Sequence, residues 1–367
     1  MQRNLQILLM LVLIFAHSAS DAQSILQQNI IIPMQDAGPQ GLETVLVWPN
    51  LPGKHPLALI SHGTVRNAEA RREMTPSQFL PIAIELARRG FAVAIVMRRG
   101  HGNSGGNWGE SEGPCDKTDY MRAVLTASVD LHTAIDYLGT LAQFDINHMV
   151  AIGMSAGGIA TVALTANNPP SGLVAAISFA GGLGSNANDT VCQQNALVST
   201  FGMLGKTSRV PMLWIYAAND HFFIPSLAQK FVDAFKASGG NLTFILAPTF
   251  QSEGHFLFST EGMPIWMPWV DDFLKNKNLD LLPTLLPPPD KANLSPPSQL
   301  AKRDQSVFDS YLKSPPHKAF AISPNGTFGW WVGMRTIEEA QQKALEACAT
   351  YTTQQCTLYA VDDDYAN

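Results

Sequence analysis

The stretch MVAIGMSAGGIA, residues 149–160, runs from apolar side chains into a turn of small residues around a single hydroxyl, that of Ser155. The apolar residues before the turn predict a buried strand, and the residues after it predict a closely packed helix. Gly153 and Gly157 flank Ser155 in a Gly-x-Ser-x-Gly pattern, which requires a strand before it and a helix after it. Because the pattern is short, only the rest of the sequence can indicate whether Ser155 is a catalytic residue or the small residues serve packing alone.

Short apolar runs alternate with segments of helical periodicity from Asn29 to about Lys275, which is typical of a mostly parallel α/β sheet. Eight runs are predicted strands: NIIIPMQ, LETVLVW, PLALISHG, FAVAIVM, HMVAIGM, LVAAISFAG, PMLWIYAA and NLTFILAP. They are rich in Val, Ile, Leu and Ala, so we expect helices to cover both faces of the sheet. No helix separates the first two strands, and we expect these to pair antiparallel at an edge.

A serine hydroxyl is a poor nucleophile until a base removes its proton, so Ser155 needs partners. Asp220 follows the strand PMLWIYAA directly, and His255 follows NLTFILAP after a short loop. The ends of later strands are where an acid and then a histidine are expected in sheets of this kind. We therefore predict Ser155 as the nucleophile, His255 as the base and Asp220 as the acid that orients it.

Stabilisation of a developing oxyanion requires backbone amides that face it. His62 and Gly63 follow the early strand PLALIS, and this flexible turn could present the amide of Thr64 beside the amide of Ala156. We predict these two amides as the oxyanion donors. His62 is expected to hold the loop by local hydrogen bonds rather than to transfer protons.

Other titratable residues near these segments are less suited to the same roles. His221 follows Asp220 directly and is expected to line the pocket or face solvent, and Glu253 is expected to support the site or lie at the surface. Asp130 and Asp136 fall within a long predicted helix. We expect both of these to lie on its solvated face.

Charge and the first residues bear on partners and location. The 367-residue chain carries a net charge of -6 without a basic stripe, which argues against nucleic acid as a partner. Residues 1–22 have a positive start, an apolar run of about 12 residues and a small-residue end, which predicts a signal peptide and a secreted or periplasmic protein. The run is shorter than the roughly 20 residues of a membrane span, so no stable span is expected after cleavage. An uncleaved anchor remains the alternative.

The chain has four cysteines, which in an exported protein favour disulfides. Cys348 and Cys356 could link a helix to the next strand, and Cys115 could bridge to Cys192, with separate buried cysteines as the alternative. The residues around Cys192, in GGLGSNANDTVCQQNALVSTFGML, are long for a connection and predict a small cap over the pocket. Cysteine and histidine spacings typical of metal sites are absent from the sequence, so no metal is expected.

A glycine pattern at residues 98–106, RRGHGNSGG, has the letters of a dinucleotide-binding fingerprint. Phosphate binding there would need a helix to begin at the loop, whereas the sequence continues as loop through GNWGESEGPC. We therefore expect no cofactor. Arg98 and Arg99 are instead expected to form ion pairs across the sheet end.

Proline dominates residues 276–316, which predicts an extended linker. Beyond it, residues 317–367 predict a small α+β module: a hairpin around the turn PNG, the helix TIEEAQQKALEACATY and the strand CTLYAV. The module could bind an unknown partner, and a polysaccharide or cell wall contacted by Trp330 or Trp331 is one alternative.

The motifs SHGT, RRGHGNSGG, GMSAGG, AAND and EGH, in this order, resemble the α/β-hydrolase superfamily and its secreted serine esterases grouped with dienelactone hydrolases. The resemblance covers about residues 29–275, so residues 23–275 are the expected catalytic domain. It implies the same nucleophile, acid, base and oxyanion amides. Dienelactone hydrolases proper have a cysteine nucleophile where this chain has Ser155, so their substrate does not carry over.

The resulting expectation is a secreted serine hydrolase, of the carboxylesterase class, that cleaves a small ester through an acyl-enzyme on Ser155. Two alternatives remain open. A peptidase or amidase of the prolyl-oligopeptidase type would need a large gating domain, for which the chain lacks room. A non-catalytic binding protein on the same scaffold would be expected to lack a triad member. The sequence leaves the acyl and alcohol groups and the oligomeric state undetermined.

Overall fold

We describe the fold from a computed structural model that covers residues 24–288 and 294–366. The predicted signal peptide lies outside the described residues. The main sheet has eight strands in the order β1-β2-β4-β3-β5-β6-β9-β10. Their bounds are β1 Ile25–Ile32, β2 Leu42–Pro49, β3 His55–Ser61, β4 Ala92–Val96, β5 Phe144–Met154, β6 Leu173–Phe179, β9 Met212–Ala217 and β10 Leu242–Ala247. The short strands β7 Ser185–Ala187 and β8 Thr190–Val191 form a separate hairpin.

The strand directions follow the sequence pattern. Strand β1 pairs antiparallel with β2 at one edge, and β2 pairs antiparallel with β4. All other neighbours in the sheet are parallel. The mostly parallel eight-stranded sheet is therefore confirmed, including its antiparallel edge. Its parallel strands all end at one edge, where the loops that follow them meet.

Helices cover the sheet because its strands are apolar on both faces. In β3, Ala58 and Ile60 belong to one core cluster, while Leu57 and Leu59 belong to another on the opposite face. The first face is covered by α2 and α7, and the second by α3 to α6. The helices of this domain are α1 Ala68–Glu73, α2 Leu80–Ala87, α3 Tyr120–Leu138, α4 Ala156–Ala166, α5 Gln194–Gly205, α6 Pro225–Ala237 and α7 Met263–Leu274.

The segment between β6 and β9 differs from the predicted cap. Only the β7–β8 hairpin stands at the edge of the sheet, because α5 packs Leu197, Phe201 and Leu204 into the core under the sheet. Cys192, which follows β8, is joined by a disulfide to Cys115 in the loop before α3. This disulfide ties the hairpin to the body of the domain.

The C-terminal module is a four-stranded antiparallel sheet between two helices. Its elements are α8 Gln305–Lys313, β11 Ala319–Ile322, β12 Phe328–Trp331, α9 Ile337–Ala349, β13 Thr357–Val361 and β14 Asp364–Tyr365. A disulfide joins Cys348 near the end of α9 to Cys356 before β13. Both predicted cysteine pairs are thus bonded in the structure.

The described parts of the predicted linker, residues 276–288 and 294–316, differ from a free extended chain. The amides of Leu282 and Leu286 donate to the carbonyls of Arg89 and Arg88, so the first part runs along the catalytic domain. The last part contains α8, whose Phe308 and Tyr311 are fully buried in the module. These aromatic residues at helical spacing favour a helix, whereas the prolines on either side suggested extended chain. Within residues 24–288 and 294–366, none of the helices is both long and apolar enough to cross a membrane.

Candidate active site

Ser155 stands at a sharp corner between β5, which ends at Met154, and α4, which begins at Ala156. Its backbone has φ 54° and ψ −121°, a conformation that costs energy for any residue with a Cβ atom. Such strain is the signature of a serine that a strand-to-helix turn lifts out of the sheet. The hydroxyl is thereby placed at the carboxyl edge of the central strands.

The small residues around Ser155 are required by the closeness of strand and helix. A Cβ atom on Gly153 would overlap the carbonyl oxygen of Gly157. One on Gly157 would overlap the carbonyl oxygens of Ser61 and His62, at the end of β3. Both overlaps involve backbone atoms, which cannot move aside cheaply. The two glycines of the motif therefore serve packing, and this packing allows the serine to occupy the corner.

Asp220 and His255 meet at the same edge of the sheet. Asp220 follows β9 and His255 follows β10, and the imidazole Nδ1 lies 3.2 Å from each carboxylate oxygen of Asp220. Both side chains are buried. The amides of Phe222 and Phe223 donate to Oδ1 of Asp220 at 2.8 and 2.9 Å, which fixes the carboxylate toward the imidazole. This arrangement places the proton on Nδ1 and leaves Nε2 free to accept one.

Two further groups hold the histidine in place. The Phe222 ring stacks on the imidazole with centroids 4.1 Å apart and an angle of 16° between the planes. The Glu253 carboxylate accepts from the backbone amides of both His255 and His221 at 3.0 Å. The stacking of Phe222 on the imidazole was not predicted from the sequence. Its only sequence signal is an aromatic residue two positions after the acid.

Ser155 and His255 line one cavity. Among the described residues, the Ser155 hydroxyl makes no hydrogen bond to a protein group. In unliganded hydrolases the contact between nucleophile and base is often long and shortens when the substrate binds. The cavity that they share is the space in which that contact would form.

The loop after β3 lies directly against the nucleophile. A Cβ atom on Gly63 would lie 3.3 Å from the Cβ atom of Ser155. Thr64 lines the cavity, and Ala156 is the first residue of α4, where helix amides have no intrahelical partner. Neither the Thr64 nor the Ala156 amide donates to a protein acceptor within the described part of the chain. Their role as oxyanion donors stays a prediction, and both amides are available for it.

Arg98 supports the loop after β3 with an ion pair and several hydrogen bonds. Its guanidinium is buried and forms an ion pair with Glu110, with Nε 2.6 Å from Oε2. The same guanidinium donates to the Ser61 hydroxyl at 2.7 Å and to the His62 carbonyl at 2.8 Å. The Arg98 amide donates to Nε2 of His62, and Nδ1 of His62 contacts the Gly63 carbonyl. His62 is therefore placed as a local support of the loop, since both of its ring nitrogens contact backbone groups.

His101 completes this buried network, which we call the loop-support cluster: His62, Arg98, His101 and Glu110. The Thr64 hydroxyl lies 2.7 Å from Nε2 of His101. Burial, followed by the charge of Arg98, lowers the pKa of His62 well below its ordinary value. Burial also lowers the pKa of His101 to about 4, although Glu110 opposes this shift. Both imidazoles are therefore neutral at neutral pH.

We expect the loop-support cluster to make the fold sensitive to acid. Between about pH 6.5 and 4, the unfolded chain binds protons at His62 and His101 that the folded chain does not bind. The free energy of unfolding should decrease across this window, by about 3 kcal/mol for His101 alone. Urea unfolding from pH 7 to pH 4 measures it. The variant His132→Asn, outside the cluster, should keep the same pH slope, and a flat profile for wild type would contradict the assignment.

Arg99 and Asp130 form a second ion pair next to this cluster. The Arg99 Nε lies 2.7 Å from Oδ1 of Asp130, which is buried in α3 rather than solvated as expected. The reason is that Asp130 also accepts from the Arg99 amide at 2.8 Å, which anchors the loop after β4. Asp136, by contrast, is exposed.

The glycine pattern at residues 98–106 does not lead into a helix. Turns and loop continue to the start of α3 at Tyr120. The glycines instead allow close packing, since a Cβ atom on Gly105 would overlap the Ala37 carbonyl and one on Gly106 would overlap the Asp36 carbonyl. No group of three or more metal-ligating side chains occurs within residues 24–288 and 294–366.

The shared cavity has a volume of about 1080 Å³. Apolar and polar groups from several loops line it, including Trp108, Met154, Leu183, His221, Phe223, Phe256 and Phe258. Arg66 pairs with Glu112 and donates to the Ser185 carbonyl at 3.2 Å, which joins three cavity walls. His221 lines the cavity, and the hydrogen bond that its Nδ1 donates to the Asp189 carboxylate raises the pKa of His221.

Part of the cavity wall comes from the C-terminal module. Its lining residues are Pro315, Trp330, Trp331, Val332, Met334, Glu339 and Lys343. A linker was expected to separate this module from residues 23–275, and contact of the module with the site was not predicted. Sequence offers no signal for this contact, because it depends on how two separately folded segments dock.

Comparison with known proteins supports the same fold. A family model described as X-Pro dipeptidyl-peptidase (S15 family) matches residues 38–210, slightly less than half of the chain. A search of curated proteins found no match.

Three similar solved structures each cover about two thirds of this chain. Esterase 2 of Thermogutta terrifontis, phosphorylated by paraoxon, is 18% identical with a TM-score of 0.50, covering 69% of this chain and 95% of its own. The Pyrococcus furiosus esterase Pf2001 is 16% identical with a TM-score of 0.46, covering 69% and 90%. A structure assigned as a dienelactone hydrolase, from Klebsiella pneumoniae, is 14% identical with a TM-score of 0.47, covering 68% and 99%. At these identities, the likeness concerns the fold alone.

Proposed function

We propose that the chain, which has the α/β-hydrolase fold and matches an S15 family model over residues 38–210, hydrolyses carboxylic esters through an acyl-enzyme on Ser155. One observation carries the proposal: a buried His255, oriented by Asp220, lines the same cavity as a serine held in a strained strand-to-helix turn. Packing alone does not require a buried carboxylate to contact a buried imidazole at this edge of the sheet. Their arrangement is the one that makes an alcohol reactive.

The reaction proceeds in two halves. Nε2 of His255 takes the Ser155 proton as Oγ bonds to the ester carbonyl carbon, and the carbonyl oxygen becomes an oxyanion facing the amides of Thr64 and Ala156. The C–O bond to the alcohol then breaks, and the alcohol leaves with the proton from His255. Water repeats the sequence on the acyl-enzyme, which releases the acid and restores Ser155. Asp220 keeps the imidazole in one tautomer and stabilises its charged form.

A second candidate is cleavage of peptides after proline, which the description of the matching family model names. The same nucleophile and base would serve, because acyl transfer from an amide passes through the same oxyanion. An amide differs in its leaving group, which must be protonated before it departs. We place the ester first because an alcohol leaves more readily through identical machinery.

We also propose that the protein is exported. Disulfides persist in oxidising compartments, and the structure contains two of them, Cys115–Cys192 and Cys348–Cys356. The composition of residues 1–22 supports the same location.

A substrate panel with an active-site probe tests the proposed reaction. Wild type is given p-nitrophenyl acetate, butyrate and octanoate beside alanyl-prolyl p-nitroanilide, and kcat/KM is measured for each. We expect the best ester to exceed the anilide, and a fluorophosphonate to add its mass to the peptide that contains Ser155. A higher kcat/KM for the anilide would support the second candidate. Absence of both turnover and labelling would contradict either reaction.

A further inference from the structure

The C-terminal module is held firmly against the catalytic domain. The buried Thr75 hydroxyl donates to the Gly333 carbonyl. Arg335 pairs with Glu43 of β2 at 3.1 Å and donates to the Met74 carbonyl at 2.6 Å. These contacts join the turn after β12 to the segment that follows α1. They fix the module at the rim of the cavity that contains Ser155.

The rim residues of the module include an aromatic ring that is open to the cavity. Trp331 is 41% exposed, although a tryptophan is ordinarily buried to a large extent. The Lys343 ammonium, from α9, lies 5.2 Å from the centre of this ring. Glu339, one turn earlier on α9, lines the same wall and accepts from the Arg335 amide at 3.2 Å. The ammonium thus lies over one face of the indole, and a carboxylate lines the same cavity wall.

We propose that Trp331, Lys343 and Glu339 form a subsite for a sugar ring, so that the ester's alcohol or acyl part is a glycoside. This inference rests on the proposed function. The ring's apolar C–H face would pack on the indole, while its hydroxyls would bond to the ammonium and the carboxylate. The module would then determine specificity, and the triad would perform the chemistry.

The charges around the cavity favour a neutral, hydroxyl-bearing ligand over other kinds. An anionic group would face Glu339 and also Glu73, which lines the same cavity. A cationic group would face Lys343, since Arg66 is already paired with Glu112. A plain alkyl group would remove the water around these charged side chains without replacing its hydrogen bonds, which costs free energy. A polyhydroxylated ring satisfies donors and acceptors of both signs.

Three acetate esters test the subsite: methyl 6-O-acetyl-glucopyranoside, cyclohexyl acetate, whose ring has no hydroxyls, and ethyl acetate. We expect wild type to prefer the glycoside. In Trp331→Ala, the ratio of kcat/KM for the glycoside to that for ethyl acetate should fall about tenfold, through KM rather than kcat. Trp331→Phe, which keeps a ring face, should recover most of the ratio. Tyr351→Ala removes an aromatic residue of the module that is 78% exposed outside the cavity lining, and should keep the wild-type ratio.

Binding without turnover separates this inference from the proposed function. Titration of methyl 6-O-acetyl-glucopyranoside into Ser155→Ala, followed by calorimetry, should give a Kd that rises about tenfold in the double variant with Trp331→Ala. An unchanged ratio and an unchanged Kd would overturn the subsite, as would a wild-type preference for cyclohexyl acetate. If wild type hydrolysed none of the three esters and none of the p-nitrophenyl esters, the proposed function would be contradicted, and the Kd comparison alone would decide the subsite.

Discussion

Replacing Ser155 with alanine is expected to lower kcat for ester hydrolysis by roughly 10⁶-fold, since the step that forms the acyl-enzyme has no other nucleophile. The remaining rate would come from substrate binding and the oxyanion amides alone. Alanine keeps the Cβ atom, so the strained corner between β5 and α4 should survive. Initial rates with p-nitrophenyl butyrate, together with the mass of the protein after exposure to a fluorophosphonate, measure the effect.

Ser306→Ala provides the matched control for this loss. Ser306 is exposed on α8 and lies outside the cavity lining, so the same chemical change there should leave both the rate and the labelling as in wild type. A Ser155→Ala protein that still gained the mass of one phosphonate would show that another residue is the nucleophile. Equal melting temperatures of the two variants would show that the lower rate of Ser155→Ala is not caused by unfolding.

Replacing Asp220 with asparagine is expected to lower kcat by about 10⁴-fold while KM changes little. The remaining carbonyl oxygen can still accept from the amides of Phe222 and Phe223, so the turn after β9 should keep its shape. The new amide group would then face Nδ1 of His255 as a donor. That reverses the tautomer of the imidazole and places its proton on Nε2, which can no longer accept the proton of Ser155.

The control for the second variant is Asp233→Asn, an exposed acid on α6 whose carboxylate, within the described part of the chain, accepts from Gln229 alone. It should leave kcat unchanged. The tautomer itself can be observed by ¹⁵N NMR of the labelled imidazole. A fall in kcat of less than tenfold for Asp220→Asn, with Nδ1 of His255 still protonated, would contradict the assigned role of the acid.

The sheet could be predicted from the sequence because its pattern is local. Eight apolar runs, most of them separated by helical segments, indicated a mostly parallel sheet, and the missing helix between the first two placed β1 at the edge. Ser155, Asp220 and His255 could be chosen in the same way, since each directly follows a strand or a short loop after it. The ends of parallel strands converge whatever the details of the packing.

The support of the site was harder to predict because it depends on contacts across the fold. Asp130 was expected to be solvated, yet it anchors Arg99, and nothing in the periodicity of α3 distinguishes its inner from its outer acids. Likewise, the residues that form α8 were expected to be extended chain, because the prolines around them were a stronger signal than the helical spacing of Phe308 and Tyr311. In both cases the deciding partner lies far away along the chain.

The docking of the module through Thr75 and Arg335 uses the segment after α1 and the edge strand β2, and involves none of the strands that carry the triad. With the proposed subsite, substrate preference and catalysis would therefore reside in different parts of the polypeptide. A single recombination event that replaced the C-terminal module would then change the substrate preference and leave the segment around Ser155 unaltered. A chimera that carries a related C-terminal module, with Gly333 and Arg335 kept for docking, would acquire the substrate preference of the protein that donated the module.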